Sequence, residues 1–350
     1  MARTHPKTMK AHLYSSTAGG VEQNLTFTST ARSPPPPSRP GQILVEVLST
    51  SLNPADFKVP EQSTFFGRVL ICRTPASPGI DFSGRVAAVH PGHKGGFEPG
   101  QRVFGCLARP REFGTLGQYV LVEENDLTHL PEGVSDDDAA CLGVSVRTAY
   151  QSLKYYINTP GRRVFINGGS GGCGVFAIQI AKNMGAHVTV TCSSKNESLV
   201  RELGADEVID YTAVDVLQTL TETAQSEEKG LFDHVIDHIG LPESLYAQSH
   251  NFLKPDGYYV QVGAGSISTV VWRTITPRFL GGGRRRYVPL MLENSKQDLE
   301  IVARFLQEKK VRVVVDSVVG FSSEEVIAAY KKLRSGRARG KIIVRLSERS

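Results

Sequence analysis

The stretch Arg163-Val-Phe-Ile-Asn-Gly-Gly-Ser-Gly-Gly-Cys-Gly174 constrains this chain more than any other. Val164, Phe165 and Ile166 form a short apolar run suited to a strand buried on both faces. Glycines then stand at 168, 169, 171, 172 and 174. Gly169, Gly171 and Gly174 fit G-x-G-x-x-G; Gly168, Gly171 and Gly174 fit a three-residue repeat equally well. Val175, Ile178 and Ala181 continue as the apolar face of a helix, which Gly185 is placed to stop. Strand, glycine turn and helix are the context that a dinucleotide site requires. A side chain in the turn would hold the backbone away from a pyrophosphate, while the helix N-terminus offers unpaired N–H groups and partial positive charge. Gly168, Gly169, Ser170, Gly171, Gly172, Cys173 and Gly174 are therefore the expected pyrophosphate cradle. An ordinary tight turn is the bland alternative.

The next predicted strand covers residues 187–193. NAD-selective folds place an acid near its end, about 20 residues past the glycines, to bind the ribose 2′-hydroxyl. Here the chain reads Thr191-Cys192-Ser193-Ser194-Lys195-Asn196. Hydroxyls and a lysine suit a 2′-phosphate, which a carboxylate would repel, so NADPH is expected on Ser193, Lys195 and Asn196. Glu197 keeps the NAD alternative open. Tyr211 and Gly263, each just after a later predicted strand, complete the expected cofactor set.

With 350 residues the chain can bury a substantial core, and two domains are expected. Hydrophobic residues make up 40% and charged residues 21%, as in ordinary globular proteins. A net charge of +5 without a long basic tract argues against a nucleic-acid partner. The densest basic cluster, Gly281-Gly-Gly-Arg-Arg-Arg286, reads as a solvated loop. No apolar run is long enough to cross a bilayer. The five cysteines are scattered without a C-x-x-C pair, which fits a reducing compartment. Residues 1–8 have no apolar signal core, and the C-terminal Ser-Glu-Arg-Ser matches no sorting signal, so the cytoplasm is the expected address.

Short predicted strands at 11–14, 24–28, 43–48, 83–89, 101–104 and 118–122, separated by Gly and Pro turns, suggest a small barrel or sandwich. Ser135 is the expected N-cap of a helix from 136, and a second helix is expected over 146–155. Beyond the glycine turn, strands at 208–210, 235–237, 258–262 and 288–292 alternate with helical patterns, which predicts a doubly wound parallel sheet. Residues 297–309 and 323–333 read as amphipathic helices, and 341–346 as a strand returning to the first domain. The expected class is α/β, with a barrel-like domain over 1–130 and 295–350 and a nucleotide domain over 131–294. Residues 63–74 and 265–283 are expected to be loops.

Several blocks in order carry a resemblance: Asn53-Pro-Ala-Asp-Phe-Lys58, Pro78-Gly-Ile-Asp-Phe-Ser-Gly84, Phe97-Glu-Pro-Gly-Gln-Arg-Val-Phe-Gly105, the glycine turn, Leu203-Gly-Ala-Asp-Glu-Val-Ile-Asp-Tyr211 and Gly340-Lys-Ile-Ile-Val344. From Met9 onward the chain resembles the medium-chain dehydrogenase/reductase superfamily, in its zinc-independent quinone oxidoreductase and enoyl reductase branch. The resemblance implies a GroES-like β-barrel domain, a Rossmann domain, NADPH and an active site between the domains. It also implies a homodimer through the sheet edge near 288–292. The superfamily's zinc enzymes carry a cysteine within the segment matched by 53–58 and Gly-His-Glu where this chain has Gly79-Ile80-Asp81. The structural-zinc lobe is also without cysteine, since the chain reads Arg111-Glu-Phe-Gly-Thr-Leu-Gly117. No metal is expected.

Without zinc, reduction of a simple carbonyl loses its Lewis acid, whereas a conjugated alkene or a quinone needs only donors for the charge that develops on oxygen. Asn53, Lys58 and Thr148 are the donor candidates, each with a bland alternative as turn residue, solvated cation or local backbone cap. Tyr150 is a further candidate proton donor. The expected activity is NADPH-dependent reduction of a small enone, quinone or acyl-thioester. The alternatives are an enoyl reductase acting in trans on an acyl carrier, with residues 281–286 as a docking loop, and a non-catalytic NADPH-binding regulator.

Overall fold

The computed structural model describes residues 6–62, 74–157, 159–263, 267–277 and 282–347. The chain divides into two compact units: Met1–Arg147, Glu293–Lys309 and Val313–Ser350 form the first, and Thr148–Leu292 with Lys310–Arg312 the second.

In chain order, the first unit begins with β1 (Thr8–Leu13), β2 (Thr26–Arg32), β3 (Gln42–Ser51), β4 (Asp81–Val89), β5 (Arg102–Cys106), β6 (Tyr119–Glu123) and β7 (Leu127–His129). The second unit contributes β8 (Arg163–Asn167), β9 (His187–Cys192), β10 (Glu207–Asp210), β11 (Phe232–Asp237), β12 (Leu253–Gln261) and β13 (Arg286–Pro289). The chain then returns to the first unit with β14 (Val315–Val319) and β15 (Lys341–Arg345).

The first unit's main sheet runs β14-β15-β3-β4-β5-β7, with β6 also paired to β3. β3 is its hub: Ile43 faces Val89 on β4 and Val122 on β6, and Ser51 faces Ile343 on β15. Its alternate residues Ile43, Val45 and Val47 enter a core with Phe82, Val86, Val103 and Val120. That alternation is the period-two pattern of strands with one buried face. The C-terminal strand joins the first domain as its sequence predicts.

The second unit's sheet is parallel throughout, in the order β10-β9-β8-β11-β12-β13. From β8 the chain works outward through β9 and β10, then crosses over to build β11, β12 and β13 on the other side. β8 and β11 are almost entirely buried, which explains their continuous apolar runs. The helix Gly174–Asn183 follows the glycine turn, and Gly185 ends it at φ 78°.

Three sequence expectations need correction. The nucleotide domain does not begin at 131. Ser135 caps the helix Asp136–Ala140 as expected, but this segment is bonded to the barrel unit: Asp137 accepts from Ser49 and Arg345, and Val144 N–H donates to Asp81. Arg147, fully buried, donates to Asn294 and to Cys106. Conversely, Lys310–Arg312 belongs to the second unit, because Gln179 both donates to and accepts from Arg312 and Asn183 donates to Lys310. Second, the helix expected over 146–155 is a π turn, Leu142–Val146, followed by a short α-helix, Arg147–Gln151. Third, the expected loop 265–283 contains a helix, Ile267–Ile275. Most of the other expected loop, at 63–73, lies outside the described residues.

Candidate functional site

The carboxyl ends of the second unit's strands gather most of the expected cofactor residues. Gly168 has φ +91°, and a Cβ there would lie 2.6 Å from Ile239. A Cβ on Gly169 would come within 2.9 Å of Val190, and one on Gly174 within 2.1 Å of the Gly168 carbonyl. These three glycines are needed to form the turn at all. Gly171 differs: a Cβ there meets only the Gly168 carbonyl, at 3.6 Å, so the fold leaves this position open. The turn thus keeps one glycine that packing does not demand, as expected of a cradle for an approaching phosphate.

Beneath the turn lies a buried polar frame. Thr191 Oγ1 donates to Asn167 Oδ1 at 2.7 Å and accepts from Gly168 N–H at 2.8 Å. Asn167 Nδ2 donates to Asp237 Oδ1 at 2.9 Å. Asp237 also accepts from Gly240 N–H, from the Tyr259 hydroxyl at 2.6 Å and from Gln261 Nε2 at 3.0 Å. Burial pushes the Tyr259 phenol well above its ordinary pKa, with the Asp237 carboxylate adding to the shift. These bonds tie the ends of β8, β9, β11 and β12 together. Sequence reading missed the frame because its members come from four separate strands.

On the β9–β10 side, Asn196 Nδ2 donates to Ser170 Oγ at 3.1 Å, joining the expected 2′-phosphate segment to the glycine turn. Ser193 precedes the short turn Ser194–Asn196, its carbonyl accepting from Asn196 N–H at 2.8 Å and its side chain making no cap bond. Lys195 is exposed and has no partner among the described residues. Tyr211 is also exposed, and its N–H donates to the Cys192 carbonyl, which fixes it next to the end of β9. An acid does stand nearby: Asp210 pairs with Cys192 in the sheet register. Its carboxylate is held low by hydrogen bonds from Thr212 and Ser194 and is thereby engaged. On the β12 side, Gly263 sits where a Cβ would collide with the His238 carbonyl at 2.0 Å. Cys173 and Gly172 complete the turn.

The donor candidates fare differently. Asn53 is 2% exposed, and both its N–H groups are occupied, one by the Ser51 carbonyl and one by Asp81 Oδ2 at 2.8 Å. Its oxygen accepts from Ser145 Oγ and Lys341 Nζ. Both donors of Asn53 are thus engaged within the fold, since a carboxamide has only two N–H groups. Asp81, beside it, also accepts from Ser51 Oγ and Val144 N–H, and lies 3.8 Å from Lys341 Nζ. Burial pushes the Asp81 carboxyl up, while Lys341, Asn53 and Ser51 pull it back. Neighbouring Asp56 is pushed up to about 8 by burial, against the opposing hydrogen bond from Asn53 N–H. Lys58 lies on the helix Ala55–Glu61, exposed and without a partner among the described residues. Thr148 is 6% exposed; its carbonyl accepts from Ser152 N–H, and its hydroxyl has no partner among the described residues. Tyr150 lies under the Lys154 ammonium at 5.5 Å.

Ile80, where the resemblance places a metal-binding histidine, is apolar and buried. Among the described residues no three His, Cys, Asp or Glu side chains converge as a metal site. The basic stretch 282–286 is folded onto its own unit: Arg285 donates to the carbonyls of Leu253 and His250, and Arg286 to the Tyr258 hydroxyl. No helix among the described residues is long and apolar enough to cross a membrane.

Residues 39–132 match the family described as alcohol dehydrogenase GroES-like domain, and residues 203–344 the family described as zinc-binding dehydrogenase. The trans-enoyl reductase pgmF of Aspergillus terreus is 43% identical over 99% of both chains. The zinc-type alcohol dehydrogenase-like protein C16A3.02c of Schizosaccharomyces pombe is 32% identical, covering 97% of this chain and 96% of its own. The solved quinone oxidoreductase from Coxiella burnetii superposes with a TM-score of 0.84 at 28% identity, covering 97% of this chain and 100% of the other.

Proposed function

The chain belongs to the medium-chain dehydrogenase/reductase superfamily, in the branch of quinone oxidoreductases and enoyl reductases, and we propose that it reduces activated double bonds with NADPH and without zinc. One contrast carries this reading. The dinucleotide edge keeps an open glycine and a lysine without a partner among the described residues, whereas the segments that hold zinc in other members offer no cysteine or histidine.

Gly168 to Gly174 would hold the pyrophosphate on backbone N–H groups, and Ser193, Lys195, Asn196 and Tyr211 would hold the 2′-phosphate. When bound, NADPH supplies a hydride for the β-carbon of an alkene conjugated to a carbonyl. Lys58 and Thr148, each taken singly, are the candidate donors to the carbonyl oxygen, where negative charge gathers as the alkene is reduced. A proton reaching the α-carbon completes the balance; a quinone takes its proton on oxygen instead. Asn53 braces the segment that carries Lys58.

The name of the relative at 43% identity, a trans-enoyl reductase, supports the reading of an enoyl reductase acting in trans, for which a carrier-bound acyl thioester would be the substrate. A homodimer through β13 is supported by that strand's place at the sheet edge, and by exposed Trp272 and Ile275 on the neighbouring helix. A reducing, cytoplasmic setting is consistent with four unpaired cysteines among the described residues.

The test is NADPH oxidation by purified protein against a simple enone, a quinone, a free acyl-thioester and the same acyl group on a carrier protein, with metal content measured alongside. Turnover without stoichiometric zinc is expected, fastest on an α,β-unsaturated thioester. Nucleotide binding without turnover of any of the four would favour a non-catalytic role. One tightly bound zinc per chain, lost together with activity on chelation, would overturn the zinc-free reading.

A further inference from the structure

His238 is the first residue after β11, and both its ring nitrogens are buried without a hydrogen-bond partner among the described residues. Nearly all buried polar side-chain atoms in folded proteins find a partner, so an orphaned imidazole calls for a cause. Burial pushes this imidazole down to about 4, so it is neutral at ordinary pH and has one donor and one acceptor to offer.

Its place in the sheet is specific. β8 and β11 are neighbours, but the chain leaves β8 in one direction and β11 in the other, so the strand order reverses between them. Ligands of open α/β sheets bind outside the carboxyl ends of the strands at such a reversal. The His238 N–H donates to the Asn167 carbonyl at the end of β8. The residues flanking its backbone are glycines: a Cβ on Gly263 would strike the His238 carbonyl at 2.0 Å, and one on Gly168 would lie 3.7 Å from the His238 Cβ. These glycines thus let the neighbouring strand ends pass close to the histidine, with the Ile239 side chain standing against Gly168. The residues expected to take the adenosine half, Ser193, Lys195 and Tyr211, stand on the β9–β10 side of the glycine turn. With the pyrophosphate on the turn, the other half of a dinucleotide must lie over β11 and β12.

We propose that His238 is a positioning residue for the nicotinamide half of the cofactor, its imidazole hydrogen-bonding a hydroxyl of the ribose that carries the nicotinamide. This rests on the NADPH reading above and adds a residue that no part of the glycine motif supplies.

The test measures dissociation constants of NADPH and of adenosine 2′,5′-bisphosphate, which lacks the nicotinamide ribose, for the wild type, His238→Leu and His238→Gln. Thermal unfolding is followed with and without ligand. For His238→Leu, NADPH should bind about 3- to 10-fold more weakly, the loss of one neutral hydrogen bond. Adenosine 2′,5′-bisphosphate should bind as before. The ligand-free melting temperature should stay level or rise, because an unpaired polar group has been removed. His238→Gln should recover most of the NADPH affinity; if the leucine variant does not fold, His238→Ala is compared with Gln in the same way. Unchanged NADPH binding in the leucine or alanine variant, or equal weakening of both ligands, would overturn the proposal. Wild-type protein that binds neither ligand would overturn the NADPH reading as well.

Discussion

The glycine-bearing edge of the second unit and the buried polar cluster of the first are both dense in residues that can do chemistry, but they leave them in opposite states. Around Asn53, Asp81 and Lys341 the polar groups are tied into one hydrogen-bonded set. Lys341 Nζ donates to the Leu52 carbonyl, to Asn53 and to Ser145, and faces Asp81 from 3.8 Å. Along the glycine edge the internal frame is satisfied, but Lys195, Tyr211 and His238 are left with unused groups. Polar residues in a motif show that chemistry is present in a segment. Only unused valences, set where a ligand can meet them, make that segment a site. The cluster reads as scaffold and the edge as binding surface.

The largest effect should come from breaking the cluster. Lys341→Met leaves the Asp81 carboxylate and the Asn53 oxygen buried without their cation, which typically costs about 3–5 kcal/mol. Chemical denaturation should show a correspondingly lower midpoint for the first unit, and adding Asp81→Asn should restore part of it. The variant that remains folded should bind NADPH with wild-type affinity. Wild-type stability would show that the cluster is not a scaffold; lost cofactor affinity in stably folded protein would bring it into the site.

Gly171→Val sharpens the other side of the comparison. Since a Cβ at 171 meets nothing closer than 3.6 Å, the melting temperature should hardly move. NADPH affinity should fall by about one to two decades as charge-assisted contacts to the pyrophosphate are lost. Gly174→Ala is the contrast, because its Cβ would lie 2.1 Å from a backbone carbonyl and should disrupt the turn itself. Calorimetric titration and thermal melts of both variants separate the two roles; unaltered NADPH binding by Gly171→Val removes the turn from the site.

The smallest effect is selective. Lys195→Ala removes one exposed charge and should lower kcat/KM with NADPH by roughly one decade, or two at most, at constant fold. The value with NADH should barely change. Equal losses with both cofactors would make Lys195 an ordinary surface lysine and return the cofactor choice to the neighbouring carboxylates.

Local pattern made much of the molecule legible. The glycine turn, the alternation of strand and helix after it, the short alternating strands before it and the returning C-terminal strand all express periodicities of a few residues. Such periodicities follow from which face of an element is buried. The start of the nucleotide domain was misplaced because residues 131–147 look the same locally whichever unit they join; Asp137, Val144 and Arg147 settle it through bonds to distant strands.

The roles of Asn53 and His238 were likewise beyond local reading. Asn53 loses its availability to Lys341, 288 residues away along the chain, and to Asp81. His238 acquires significance only because the sheet order sets it beside β8 and its nitrogens have no partner among the described residues. The sequence by itself determined most of the elements, their order and the glycine turn, because backbone geometry and burial period act between near neighbours. Tertiary structure alone decided which polar groups are saturated and which remain open, because hydrogen-bond satisfaction depends on whatever the fold brings within about 3 Å.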